Sequence, residues 1–349
     1  METQIQPALR PLRLGELLDQ AIRLYRRNFL TFIGIIAVIY VPLMILQTAS
    51  TTLLTSSIDD LASADSPEQI FNNMAYMGGM LSTMVVGFFQ YVFVQGIATG
   101  ALTRAVADNY LGKPVSILDA YRGIGKSWVS LLGALFFVFI LLIAIAIWWL
   151  VPCIGWFTGL GMMAYLMTVV NPLVAPVVIL EGQSAIGSIF RAWDLARRRF
   201  WPVLGTTIVL SLFSLLIVNG PAAIVNVFLT QAITSFGDST TQLVITSIIQ
   251  SLVSLVFVLI YYPLQMTAFT LIYFDLRVRT EGLDIALLTL PTEQASMAKI
   301  PAPQSNERVI TWPDLGNFAI LTLVVVGLYI LLFSVITASA FFITSLFAG

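Results

Sequence analysis

Side chains equipped for chemistry are scarce in this chain. Histidine is absent from its 349 residues and cysteine occurs once, at Cys153. A Ser–His–Asp triad, an imidazole proton shuttle and a histidine-based zinc site are therefore excluded, as is a disulfide within the chain. Cys153 lies in Val-Pro-Cys-Ile-Gly between two apolar runs. With no basic neighbour to favour a thiolate, it reads as a small buried or interfacial hydrophobe. No phosphate-cradling glycine loop, zinc-peptidase helix or serine-hydrolase elbow is present. What remains inside the apolar stretches is uncharged: Asn171, Asn226 and Gln265 foremost, with Gln90, Gln95, Asn219 and Gln250. Carboxamides in such surroundings either hydrogen-bond between helices or line the path of a solute.

The elements that must hold these residues are membrane helices. The chain is 58% hydrophobic and only 10% charged, with a mean hydropathy of +0.92. Seventeen Lys and Arg balance eighteen Asp and Glu. A net charge of −1 gives no electrostatic case for a nucleic-acid partner. A bilayer core of about 30 Å needs roughly 20 apolar residues in a helix. Stretches free of Asp, Glu, Lys and Arg predict seven spans, near 29–49, 80–103, 128–151, 157–180, 203–229, 243–274 and 316–346. The expected fold is an all-α polytopic membrane helix bundle. The polar, Pro-containing segment before the first span lacks a signal-peptide pattern, so that span reads as an anchor.

Charge sets the expected orientation. With the N-terminus inside, every Lys and Arg falls in an inner segment, while the outer loops carry only Asp59, Asp60, Asp65, Glu68 and Asp238. The positive-inside rule then places the N-terminus in the cytoplasm and the C-terminus outside.

A unit recurs along the chain. Leu14, Leu17, Leu18, Ala21, Ile22 and Tyr25 form one helical face before the first span. Ile117, Leu118, Tyr121, Ile124 and Trp128 do so before the third, and Ile186, Ile189, Phe190, Trp193 and Phe200 before the fifth. Each is expected to lie in the membrane interface with its charges outward. Overlaid without gaps, Ala21, Ala120 and Ala192 coincide, as do Arg27, Lys126 and Arg198, and Gly34, Gly133 and Gly205. The expected architecture is three repeats of interfacial amphipathic helix plus transmembrane hairpin (about 10–112, 113–182 and 183–284). A Pro-containing cytoplasmic linker (285–313) and a seventh helix (314–349) follow. Copies that share one orientation suit a pseudo-threefold bundle as well as a carrier.

Two groups of charges invite a role. Asp275, Arg277 and Arg279 follow the sixth span and could form a cytoplasmic clasp with Glu16, Asp19 or Asp194; the alternative is a solvated helix end. Arg26, Arg27, Arg197, Arg198 and Arg199, with Trp201, could hold lipid headgroups or a protein partner; the alternative is topology setting alone.

Three stretches carry a resemblance. Arg10-Pro-Leu-Arg-Leu-Gly-Glu-Leu-Leu-Asp-Gln-Ala-Ile-Arg-Leu-Tyr-Arg-Arg-Asn-Phe29 is similar to the opening of bacterial proteins of the "glycerophosphoryl diester phosphodiesterase membrane domain" family. Ala175-Pro-Val-Val-Ile-Leu-Glu-Gly182 with Arg191-Ala-Trp-Asp-Leu-Ala-Arg197, and Tyr273-Phe-Asp-Leu-Arg-Val-Arg-Thr-Glu-Gly-Leu-Asp284, fit as well. The likeness covers about residues 8–285. It implies a module of the bacterial cytoplasmic membrane. It does not imply the hydrolase, whose soluble barrel uses histidines and metal-binding carboxylates that this chain lacks. The functional expectation is a non-catalytic membrane protein, without cofactor, that organises or supports partner proteins or lipids. Its expected contacts are membrane lipids and a protein partner at the C-terminal span. The alternative is a transporter or channel for a small neutral or amphiphilic solute, and a polar cavity at mid-membrane lined by Asn171, Asn226 or Gln265 would favour it.

Overall fold

The computed structural model describes residues 10–56, 74–233, 239–288 and 311–347. Among these, seven helical stretches are long and apolar enough to cross a membrane, and no strand occurs. The chain is an all-α polytopic membrane bundle. Residues 57–73 and 234–238, which hold the acids expected in outer loops, and 289–310 of the expected linker lie outside the described residues.

The order follows the repeat. The amphipathic helix α1 (Leu14–Arg27) leads into hairpin one: α2 (Phe29–Ser56), α3 (Met74–Gln90), a π-helical stretch (Tyr91–Ala98) and α4 (Thr99–Tyr110). The short α5 (Ile117–Gly123) leads into hairpin two: α6 (Ser127–Trp149), α7 (Ile154–Tyr165), a second π stretch (Leu166–Val170) and α8 (Asn171–Glu181). Helix α9 (Ala185–Arg198) leads into hairpin three: α10 (Phe200–Ser214), a third π stretch (Leu215–Asn219), α11 (Gly220–Ile233) and α12 (Ser239–Glu281). The short α13 (Leu283–Leu288) and the last span α14 (Trp312–Phe347) complete the chain.

Local sequence explains the joints. Ser116 and Ser184 cap α5 and α9 by accepting the backbone N–H of Asp119 and Gly187, satisfying donors a helix start leaves open. Gly182, at φ +67°, ends α8 in the left-handed conformation that glycine adopts without steric cost. Hairpin two turns at Pro152-Cys153, where Ile154 N–H donates to the Pro152 carbonyl at 2.8 Å. Cys153 takes φ +65° and ψ −71° there, the tight three-residue turn that costs an ordinary side chain some strain. Its side chain is exposed, so the buried form of the expectation is excluded.

The three coincident glycines reveal how the repeats join. A Cβ on Gly34 would come within 2.6 Å of Ile117, the first residue of α5. One on Gly133 would meet the Cβ of Ala185, the first residue of α9, at 2.9 Å. One on Gly205 faces Leu14, the first residue of α1, at 3.9 Å. Each hairpin thus seats the next unit's amphipathic helix, and the third seats that of the first. The first two contacts are tight, and the third, which closes the ring, is ordinary van der Waals packing. The coincident alanines Ala21, Ala120 and Ala192 are all buried. Replacing Gly133 with valine is expected to destabilise the fold by about 1–3 kcal/mol, as overpacking does. An unchanged thermal midpoint in detergent would count against this seating.

Helices α1 and α5 turn apolar residues inward and charges outward as their sequence suggests, and α9 does not. On α9 the face read as outward and polar points into the protein: Arg191 and Asp194 are buried, whereas Ile186 and Phe190 are about half exposed. The reason is the solvent. Beside a bilayer the outer face meets oil, so charges are stable only where the protein supplies partners.

The seventh helix is docked. On α7, Gly161 touches α14 so closely that a Cβ would fall 1.9 Å from the Phe318 carbonyl oxygen. Thr322 donates to the Phe157 carbonyl at 2.7 Å, and Phe318 packs edge-on against Tyr165 and Trp193.

Candidate functional site

Near the middle of the bundle lies a cavity of about 260 Å³. Hairpin one contributes Gln95 and Thr99, hairpin two Thr168, Asn171 and Pro172, and hairpin three Thr207, Ser211, Tyr262 and Gln265. Met167, Val174, Met266 and Phe269 fill in between. From the inner helix ends Tyr110, Glu181 and Glu281, the carboxamides sit roughly 15–24 Å up at 1.5 Å per residue. That is mid-membrane depth.

Helix irregularity gathers at this depth. Gln95 lies in the first π stretch, Thr168 in the second, and Asn171 follows it directly. Such widened turns recur at functional sites because they turn backbone groups and side chains out of the regular ladder. Proline adds to the effect. Pro172 has no N–H to give the Thr168 carbonyl one turn back, and Thr207 of α10 donates to that carbonyl at 2.8 Å. Pro263 sits beside Tyr262 in α12.

The lining is polar and uncharged. Tyr262 Oη lies 2.8 Å from Thr99 Oγ1 and 3.1 Å from Gln95 Oε1. The Thr168 hydroxyl donates to the Ala164 carbonyl one turn back, and Thr207 shares its hydrogen between the Thr168 and Val203 carbonyls. Asn171 Oδ1 is buried without a hydrogen-bond partner. An orphaned acceptor of this kind costs about 1–3 kcal/mol unless something fills the space beside it.

Beneath the cavity, at the basic end, lies a buried ion network. Arg191 Nε is 3.0 Å from Glu181, and its Nη2 is 2.5 Å from Glu281. Arg277 binds Glu281 at 2.8 Å and lies 3.6 Å from Glu181. Tyr273 donates to Glu181 at 2.9 Å. The four charged side chains are each 6% exposed or less, and the two arginines cancel the two glutamates. Burial alone would lower the Arg191 pKa, but the hydrogen bond and charge of Glu181, with Glu281, outweigh it and raise it above the ordinary arginine value. The network ties the ends of α8 and α12 to the middle of α9.

The expected clasp is divided. Glu16 stays on α1, 3.8 Å from Arg10, and accepts the Arg13 backbone N–H; Asp19 is exposed. Asp194 binds Arg197 and Arg198 at 3.0 and 2.8 Å. Arg277 pairs with Glu181 and Glu281 instead of Glu16, Asp19 or Asp194. Glu181 ends its span beside Arg277 near the end of α12, whereas Asp194 is taken by Arg197 and Arg198 and Glu16 and Asp19 lie on α1. Asp275 and Arg279 bind each other and also hold Leu12, whose N–H donates to Asp275 and whose carbonyl accepts from Arg279, both at 2.7 Å.

The basic contact set is divided too. Arg26, Arg27 and Trp201 are exposed, whereas Arg197 and Arg198 are engaged by Asp194, with the buried Asp314 of α14 3.9 Å from Arg197. Arg199 is half-buried. Of the intramembrane positions, Asn171 and Gln265 line the cavity; Asn226 is on α11, and its side chain lies outside the described residues. Sequence reasoning missed Glu181 and Arg191 as partners and Tyr262, Thr168, Thr207 and Ser211 as lining. Glu181 did carry a signal, as an acid that directly follows an apolar run and precedes a turn glycine; Glu281 shares the position before a turn glycine.

A recess of about 740 Å³ between α6, α7 and α9 is apolar apart from Thr158; it faces the surrounding oil. Among the described residues, no group of three or more His, Cys, Asp or Glu could hold a metal ion. No protein-family model, curated protein or solved structure matches the chain.

Proposed function

We propose that this multi-pass membrane protein binds a small solute in its mid-bundle cavity and passes it across the bilayer. One observation carries the reading: an uncharged cavity deep in the bundle is lined by polar side chains from all three hairpins, at or beside the π-helical turns of the first two. Oil offers polar groups nothing, so a bundle built only to pack or to anchor gains nothing from such a space. The ion network forms the inner closure of the path. No covalent step is required, and the role is non-enzymatic. Segregated basic residues support a cytoplasmic N-terminus and an external C-terminus. The motifs at 10–29, 175–197 and 273–284 support placing the chain with the membrane region of the phosphodiesterase-linked family in the bacterial cytoplasmic membrane. A supporting role toward partner proteins or lipids is the second reading. Its observation is the exposed face of the docked α14, at Leu323, Leu328 and Tyr329, which oil satisfies equally.

The test is osmotic swelling of vesicles carrying the purified protein, with neutral, anionic and cationic small solutes. At least one solute is expected to enter roughly tenfold faster than into protein-free vesicles, equal to lowering the barrier by about 1.4 kcal/mol. Gln265→Phe, which fills the cavity, is expected to return the rate to the protein-free level. Uptake that matches empty vesicles for every solute sinks the reading.

A further inference from the structure

Each repeat places one carboxamide at the cavity: Gln95 from hairpin one, Asn171 from hairpin two and Gln265 from hairpin three. We propose that these three side chains form a ring that selects small neutral solutes bearing both hydrogen-bond donors and acceptors, of the polyol or urea class. This rests on the reading that the cavity takes a solute.

Three features carry the class. First, no Asp, Glu, Lys or Arg lines the cavity. An ion of either sign entering it would shed water with no countercharge to meet it, at a cost of several kcal/mol. Second, the chemistry of the lining is divided. The Thr168 and Thr207 hydroxyl hydrogens are spent on backbone carbonyls, so those oxygens offer lone pairs. A carboxamide offers two N–H donors as well as an acceptor, and Asn171 Oδ1 is an acceptor with no partner. A matching solute must present O–H or N–H groups beside oxygen acceptors, and need carry no charge. Third, the size is limited. The volume of about 260 Å³ holds roughly eight waters at about 30 Å³ each, and so a solute of about that many non-hydrogen atoms.

The position on the fold strengthens the assignment. All three hairpins reach the same cavity, and each packs against the amphipathic helix of another unit. One carboxamide per repeat then surrounds a solute from three directions, and none of the three can be replaced by its neighbours.

The experiment measures swelling of vesicles containing the full chain in glycerol, erythritol and urea, against glycerate and ethanolammonium as charged probes of similar size. Neutral probes are expected to enter faster than into protein-free vesicles, and charged probes at the protein-free rate. Gln95→Leu, Asn171→Leu and Gln265→Leu are each expected to slow neutral uptake roughly five- to thirty-fold, the loss that one or two hydrogen bonds bring. Gln265→Glu, close in shape, serves where a leucine variant fails to fold. It is expected to pass neutral probes in acid, when the carboxyl is protonated, and to lose them as the carboxyl ionises. If charged probes cross and neutral ones do not, passage stands and the carboxamide ring is wrong. The ring is equally wrong if neutral uptake is unchanged in the folded leucine variants and Gln265→Glu shows no pH dependence. If no probe of either charge crosses, passage itself falls and the ring with it.

Discussion

Arg277→Met is expected to destabilise the protein by about 3–5 kcal/mol, the loss seen when one member of a buried ion pair is removed. Arg277 is 1% exposed and touches Glu181, Glu281 and Tyr273. Without it two glutamates face a single arginine in a space closed to water. Glu281→Gln in the same chain restores charge balance around Arg191 and Glu181 and is expected to recover part of the loss. The recovery distinguishes charge from shape, because the glutamine fills the same volume. Thermal unfolding in detergent, followed by tryptophan fluorescence, reads both variants. A loss below about 1 kcal/mol for Arg277→Met, the range of a surface pair, would show that water reaches the network.

Gly161→Ala is expected to detach α14. The added carbon would sit 1.9 Å from the Phe318 carbonyl oxygen and 2.5 Å from Thr322 Oγ1. The first obstacle is backbone, which cannot rotate aside, so the helices must separate. Separation breaks the Thr322 hydrogen bond to Phe157 and lifts Phe318 from Tyr165 and Trp193. Overpacking of this kind costs about 1–3 kcal/mol, and the backbone contact places this variant at the upper end. The sensitive measurement is a cysteine crosslink between positions 157 and 322 in a Cys153→Ser background. Efficient crosslinking that survives Gly161→Ala would falsify the backbone contact.

The spans were legible in the sequence because oil imposes a length and forbids charge, and both constraints can be read residue by residue. The repeat was legible for a related reason: Gly34 and Gly133 sit where a helix start presses on a hairpin, and Gly205 returns at the same place in the third copy with more room. Asn171 and Gln265 were legible as polar residues in apolar runs. Other features depend on contacts between distant segments. Arg191 meets Glu281 across ninety residues of chain, and no local pattern distinguishes that arginine from Arg197 or Arg198. The same limit explains α9. An amphipathic pattern reveals that two faces differ, and only the neighbours decide which face turns inward. The π stretches leave almost no compositional trace beyond the nearby Gly96, Pro172 and Pro221.

The closure of the ring bears on how the chain is made. The amphipathic helix α1 leaves the ribosome first, yet its seat is completed last. Gly205, Asp275 and Arg279, which receive Leu14 and Leu12, belong to the final repeat. Until that repeat is inserted, α1 has only the contacts hairpin one gives it, among them the Asn28–Asn109 hydrogen bonds. Newly made protein therefore passes through a stage with an open seam, and a chain that ends prematurely, at any point before hairpin three, is left permanently unsealed.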